Sequence, residues 1–154
     1  YDVDSRWVDI LASETGWDVC NLEENGREIP RSVPDLPADT NLLIFMLGTN
    51  DLLQGCSPEQ AAGKLKHVLS QLSLKPNQIL LIAPPPMAPG QWVSSQKLID
   101  DSRTFAGYCR RLAQQLGIRF ADAGEWDVSL AYDGVHFTEQ GHRAFVANLL
   151  EVLR

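Results

Sequence analysis

Residues 42–47, Leu-Leu-Ile-Phe-Met-Leu, constrain this chain more than any other stretch. Six consecutive apolar residues leave no polar face for water, which suits a parallel strand covered on both sides. Gly48-Thr49-Asn50-Asp51 closes the run with turn-forming residues. Residues 79–83 repeat the pattern and are followed at once by Pro84-Pro85-Pro86. A third short run lies at 118–121, and residues 18–22, with Val19, Cys20 and Leu22, read as a further strand.

Helical periodicity fills the spaces between these runs. Ser5 can cap a helix carrying Trp7, Val8, Ile10 and Leu11 that stops near Gly16. Ser57-Pro58-Glu59-Gln60 has the form of a capping box with proline at the first helical position. Ala61, Leu65, Val68, Leu69 and Leu72 then form one apolar stripe. Leu98, Phe105, Cys109, Leu112 and Leu116 form another, ended by Gly117. A last helix starts near Thr138 and buries Phe145, Val146, Leu149 and Leu150. Alternating strands and helices predict an α/β fold with a parallel sheet and helices on both faces.

The length of 154 residues suits a single domain spanning 1–154 with its own core. A formal net charge of −7 makes nucleic acid and anionic membrane surfaces poor partners. No apolar run reaches membrane-spanning length and nothing resembles a signal peptide, so a cytoplasmic home is expected. Cys20, Cys56 and Cys109 are odd in number and scattered, which gives no disulfide framework. Cys20 and Cys109 lie in apolar surroundings and are expected to be buried thiols.

In open parallel sheets ligands bind outside the carboxyl ends of the strands. The loops expected there carry Gly26, Asn50, residues 84–92, and Asp133 with His136. In Asp133-Gly134-Val135-His136 a carboxylate can fold back onto one ring nitrogen of the imidazole and leave the other free as a general base. The competing reading is a D-G turn beside a helix-capping histidine. Asn50 can aim its side-chain N–H, and Gly26 its backbone N–H, at a developing oxyanion. Gly26 can equally serve a loop that needs positive φ. Asp51 is expected to fix its loop by accepting from backbone N–H groups. Arg27 either faces the cleft or is solvated. Met87 and Trp92 either wall a substrate pocket or anchor their loop. His67 and His142 lie in helices without an acidic partner at a telling spacing. No pair of histidines stands at metal-ligand spacing, so neither metal nor other cofactor is expected.

Met46-Leu47-Gly48-Thr49-Asn50-Asp51, Ala83-Pro84-Pro85-Pro86 and Asp133-Gly134-Val135-His136-Phe137-Thr138-Glu139 together resemble the SGNH (GDSL) hydrolases, in their arylesterase and acyl-transferring branch. Arg6-Trp7 resembles the pair that opens the first helix there. The resemblance covers essentially the whole chain. It implies a flavodoxin-like three-layer α/β/α fold with strand order 2-1-3-4-5, and metal-free Ser-His-Asp hydrolysis of small, short-chain esters. It implies Asn50 and Gly26 as oxyanion donors and Asp133 and His136 as the orienter and base. It is compatible with a homo-oligomer. The block that ends in Gly-Asp-Ser and bears the nucleophile is absent from these residues. Ser5 follows an aspartate but lacks the preceding strand and glycine. The resemblance therefore places the first strand and the serine upstream of Tyr1, between the strands at 18–22 and 42–47 in the sheet. The alternative is a non-catalytic small-molecule binding module of the same fold. A phosphate- or nucleotide-binding domain is weaker still, because no Gly-rich phosphate loop occurs.

Overall fold

A computed structural model describes residues 6–20, 28–33 and 35–154. The elements run α1 (Trp7–Thr15), β1 (Leu43–Phe45), α2 (Thr49–Leu53), α3 (Pro58–Leu69), β2 (Ile79–Ala83), α4 (Gln96–Leu116), β3 (Arg119–Asp122) and α5 (Glu139–Leu153). Short 3-10 turns at Pro76–Gln78 and Ala123–Glu125 flank β2 and β3.

Among the described residues the sheet has the order β1-β2-β3, all parallel. Leu43 to Phe45 pair with Ile79 to Leu81, and Leu80 to Ala83 pair with Arg119 to Asp122. Every residue of β2 is buried, as its unbroken apolar sequence requires. Successive side chains of a strand point to opposite faces. Ile79, Leu81 and Ala83 accordingly pack with Leu65 and Val68 of α3 and Phe105, Cys109 and Leu112 of α4. Leu80 and Ile82 pack with Leu11 of α1 and Phe145 and Leu149 of α5. Two helices cover each face of the sheet, the three-layer arrangement expected from the sequence.

The helix ends follow their sequence signals. Ser57 accepts from the Gln60 N–H at 3.1 Å while Gln60 Oε1 accepts from the Ser57 N–H at 2.9 Å, completing the capping box. Gly117 ends α4 with φ of 68°, a left-handed conformation that suits glycine. Thr138 caps α5 by accepting from the Gly141 N–H at 2.9 Å.

Two expectations change. The strand expected at 18–22 is not formed at residues 18–20, which pair with no strand among the described residues. Asp18 and Cys20 are exposed there. Apolar composition makes a strand only where a neighbouring backbone offers ladder partners. Residues 21 and 22 lie outside the described residues. Cys20 is accordingly an exposed thiol, against the buried one expected, while Cys109 is buried as expected. Burial pushes the Cys109 thiol up to about 12, so it stays protonated.

The first helix also starts differently. Its N-cap position is Arg6, which supplies no side-chain cap; Ser5 lies outside the described residues. The Trp7 N–H donates instead to Nδ1 of His142 at 3.0 Å. A side chain from α5 thus caps α1, and the Trp7 ring packs on Phe145 at 4.8 Å between centroids.

Candidate active site

The three strands run in one direction, so the segments that follow them emerge at one edge of the sheet. α2 with Asn50 follows β1, the loop with Trp92 follows β2, and the loop with Asp133 and His136 follows β3.

Asp133 and His136 sit at the tip of a small hairpin. Leu130 and Phe137 form an antiparallel bridge. The Ala131 N–H donates to the His136 carbonyl at 2.7 Å, and the Thr138 N–H donates to the Ser129 carbonyl at 3.1 Å. The Ser129 and Thr138 hydroxyls also bond to each other. Gly134 turns the tip with φ of 81°, a conformation that side chains with a Cβ rarely adopt. The turn folds the Asp133 carboxylate back over the next residues. Its Oδ1 accepts from the Val135 N–H at 2.8 Å and the His136 N–H at 2.9 Å. Its Oδ2 meets Nδ1 of His136 at 2.6 Å.

This is the arrangement the D-x-x-H spacing suggests. Asp133 is only 6% exposed, whereas the His136 side chain is 53% exposed. Burial alone would raise the Asp133 pKa. The hydrogen bonds from Val135 N–H and from the ring and N–H of His136 outweigh it and hold the carboxyl below its usual 3.8. A carboxylate kept ionised on Nδ1 fixes the tautomer that presents Nε2 as a base.

A second loop lies directly on this hairpin. The Ala88 N–H donates to the Gly134 carbonyl at 3.0 Å, the Gln91 N–H to Tyr132 at 3.2 Å, and the Trp92 N–H to Asp133 at 3.1 Å. Gly90 permits the approach. A Cβ there would fall within clashing distance of the Asp133 carbonyl and the Gly134 nitrogen. A Cβ on Gly134 would strike the Ala88 carbonyl oxygen in turn. The Trp92 ring stands edge-to-face with the His136 ring, 4.8 Å between centroids at 78°. Trp92 is exposed beside the imidazole, and Tyr132 is exposed on the same hairpin.

Met87, expected either to wall a pocket or to anchor its loop, lies in the core. It is 3% exposed within the core cluster, and its N–H donates to Ser102 Oγ at 2.9 Å. It anchors the loop after β2.

Asn50 occupies the first turn of α2, directly after β1. Gly48 opens that helix with φ of 128°, and a Cβ there would run into the Phe105 ring. Asp51 is fully buried and accepts from the Ile29 N–H at 2.9 Å and from Lys64 Nζ at 3.0 Å. Asp51 fixes its surroundings through a backbone N–H, as expected; its lysine partner was not foreseen. Gly26 and Arg27 lie outside the described residues. His67 is on the exposed face of α3, and His142 is the cap of α1. Among the described residues no three His, Cys, Asp or Glu side chains cluster as metal ligands. No described helix is long and apolar enough to cross a membrane.

The sequence model of the GDSL-like lipase/acylhydrolase family matches residues 1–144. No curated protein matches the chain. Among solved structures, a carbohydrate acetylesterase family member from Sinorhizobium meliloti superposes with a TM-score of 0.81 at 23% identity, covering 100% of this chain and 87% of its own. The inhibitor-bound aryl esterase of M. smegmatis gives 0.79 at 25% identity, over 99% of this chain and 86% of its own. A member of the lipolytic G-D-S-L family from Veillonella parvula gives 0.77 at 19% identity, over 99% and 89%.

Proposed function

The chain belongs to the GDSL-like lipase/acylhydrolase family, and from that premise we propose that it is a serine esterase acting on small, short-chain acyl esters. The observation that carries this reading is the 2.6 Å contact between a buried Asp133 Oδ2 and Nδ1 of the half-exposed His136 at the tip of the hairpin. His136 Nε2 takes the proton of the attacking hydroxyl and returns it to the departing alcohol. Asp133 orients the ring and stabilises the imidazolium that forms between those steps. The attacking atom in this reading is a serine hydroxyl, and no Gly-Asp-Ser block occurs within these residues. Asn50, through its side-chain amide, and Gly26, through its backbone N–H, receive the negative charge on the carbonyl oxygen. Trp92 borders the space above the imidazole.

Residues 84–94 are bound down onto the Asp133 hairpin, which supports a small acyl pocket. The name of one structural neighbour, a carbohydrate acetylesterase, agrees with an acetyl-sized acyl group. The test is hydrolysis of p-nitrophenyl esters of increasing acyl length by the full protein. Turnover highest for acetate and butyrate supports the reading. Turnover that climbs steadily toward long chains contradicts it, and no hydrolysis of any ester by protein with a wild-type fold overturns it.

A further inference from the structure

Trp92 contributes more to this site than an apolar border. Its backbone and its ring are attached to the two members of the pair separately: its N–H donates to the Asp133 carbonyl at 3.1 Å, and its ring meets the His136 ring at 4.8 Å. The peptide from Gly90 to Trp92 lies on the hairpin so closely that neither Gly90 nor Gly134 has room for a Cβ. Val93, the next residue, is buried and bridges back to Gly90. The indole is therefore presented from a backbone with little freedom.

The imidazole is more than half exposed, and its hydrogen bond to Asp133 is at Nδ1. That bond selects one orientation of the ring while little packing supports it. An aromatic ring at edge-to-face distance packs against the imidazole and adds to the restraint.

We infer that Trp92 is a positioning residue for His136, holding the imidazole in the single rotamer that keeps Nδ1 on Asp133 and presents Nε2 to the reacting atoms. The inference rests on His136 being the general base. A reactive ring held in place lowers the barrier by limiting non-productive orientations, so the effect falls on kcat. A residue that only walls the pocket would affect KM instead.

Two measurements on the full protein separate these roles. With p-nitrophenyl acetate, Trp92→Ala is expected to lower kcat about 3- to 10-fold, with KM within about twofold of wild type, and Trp92→Phe to recover most of the loss. An unchanged kcat, or a raised KM with kcat intact, overturns the inference. The second measurement needs no substrate. Three-bond couplings of the His136 Cβ protons report one side-chain rotamer in the wild type, averaging in Trp92→Ala and a return to one rotamer in Trp92→Phe. Couplings that do not change in Trp92→Ala overturn the inference whatever the kinetics show. If the wild-type protein hydrolyses no ester, the esterase reading fails, and the couplings alone decide whether Trp92 holds the ring.

Discussion

Asp51, with no exposure to solvent, accepts the Ile29 N–H at 2.9 Å and so ties the start of α2 to a segment 22 residues earlier. Lys64 reaches in from α3 to meet the other carboxylate oxygen at 3.0 Å. The Lys64 side chain is 42% exposed, so the pair is a buried anion held by a cation that keeps contact with water. Removing the carboxylate as Asp51→Ala leaves the Ile29 N–H unpaired in the interior. A loss of about 2–4 kcal/mol in urea unfolding is expected. Lys64→Met should cost a comparable amount, about 3 kcal/mol, because it leaves the Asp51 carboxylate buried without its cation. Equal stabilities for the wild type and Asp51→Ala would remove the tie from the account.

His136→Ala should abolish ester hydrolysis and leave the fold intact, since the side chain is largely exposed. Asp133, whose carboxyl is held below the usual 3.8 by its hydrogen bonds to Val135 and His136, is the partner of the ring. Turnover of p-nitrophenyl acetate by the folded variant checks the assignment. Near wild-type turnover in folded His136→Ala would dismiss the histidine as the base.

Asn50→Ala is expected to lower kcat on the order of 10²–10³-fold with a smaller change in KM. An amide aimed at a developing charge contributes chiefly in the transition state. Steady-state kinetics with p-nitrophenyl acetate decide it, and an unchanged kcat would return Asn50 to an ordinary place in the turn after β1.

Gly90→Ala tests the contact between the two loops. The added methyl group falls on the Asp133 peptide, so the loops must separate and the Asp133–His136 hairpin must shift. A displacement of that kind costs about 10²-fold when reacting groups lose alignment. The expected result is a folded protein with kcat reduced by at least about tenfold. Gly63→Ala, where a Cβ meets nothing within 4 Å, is the matched control.

His142 gives the protein a pH-dependent stability. Burial first, then Arg6 and His136, lowers its pKa from 6.5 to about 4. The folded state keeps the ring neutral, and Nδ1 accepts the Trp7 N–H. Between those two values the unfolded chain binds the additional proton. This group's contribution is therefore complete above about pH 6.5 and is lost as pH falls toward 4. The total is at most about 3 kcal/mol. Urea midpoints at pH 7 and pH 4.5 should differ less for His142→Gln, which can retain an acceptor without titrating, than for the wild type. Equal pH dependence in the two proteins would exclude His142 as the cause.

What could be read from the sequence was local or periodic. β2 was evident because five successive apolar residues cannot present a polar face, and α3 because Ser57, Pro58 and Gln60 are cap chemistry within one turn. The Asp133–His136 pair was legible for the same reason, since three residues and a glycine turn bring the groups together. The bonds from Asp51 to Ile29 and from His142 to Trp7, and the contact of Trp92 with His136, join residues whose proximity only tertiary packing creates. No spacing announces them. The strand expected at 18–22 is not formed at residues 18–20, the part of it that is described: a strand also needs a partner, and composition does not report one.

The bonds that fasten residues 88–92 to residues 132–134 are made by main-chain atoms on both sides. Such bonds are indifferent to the side chains at Ala88, Gln91 and Tyr132. Those positions can change in size, charge or polarity while the carboxylate and imidazole keep their places, provided Gly90 and Gly134 stay. Mutational libraries confined to 88, 91 and 132 are therefore expected to keep the Asp133–His136 contact.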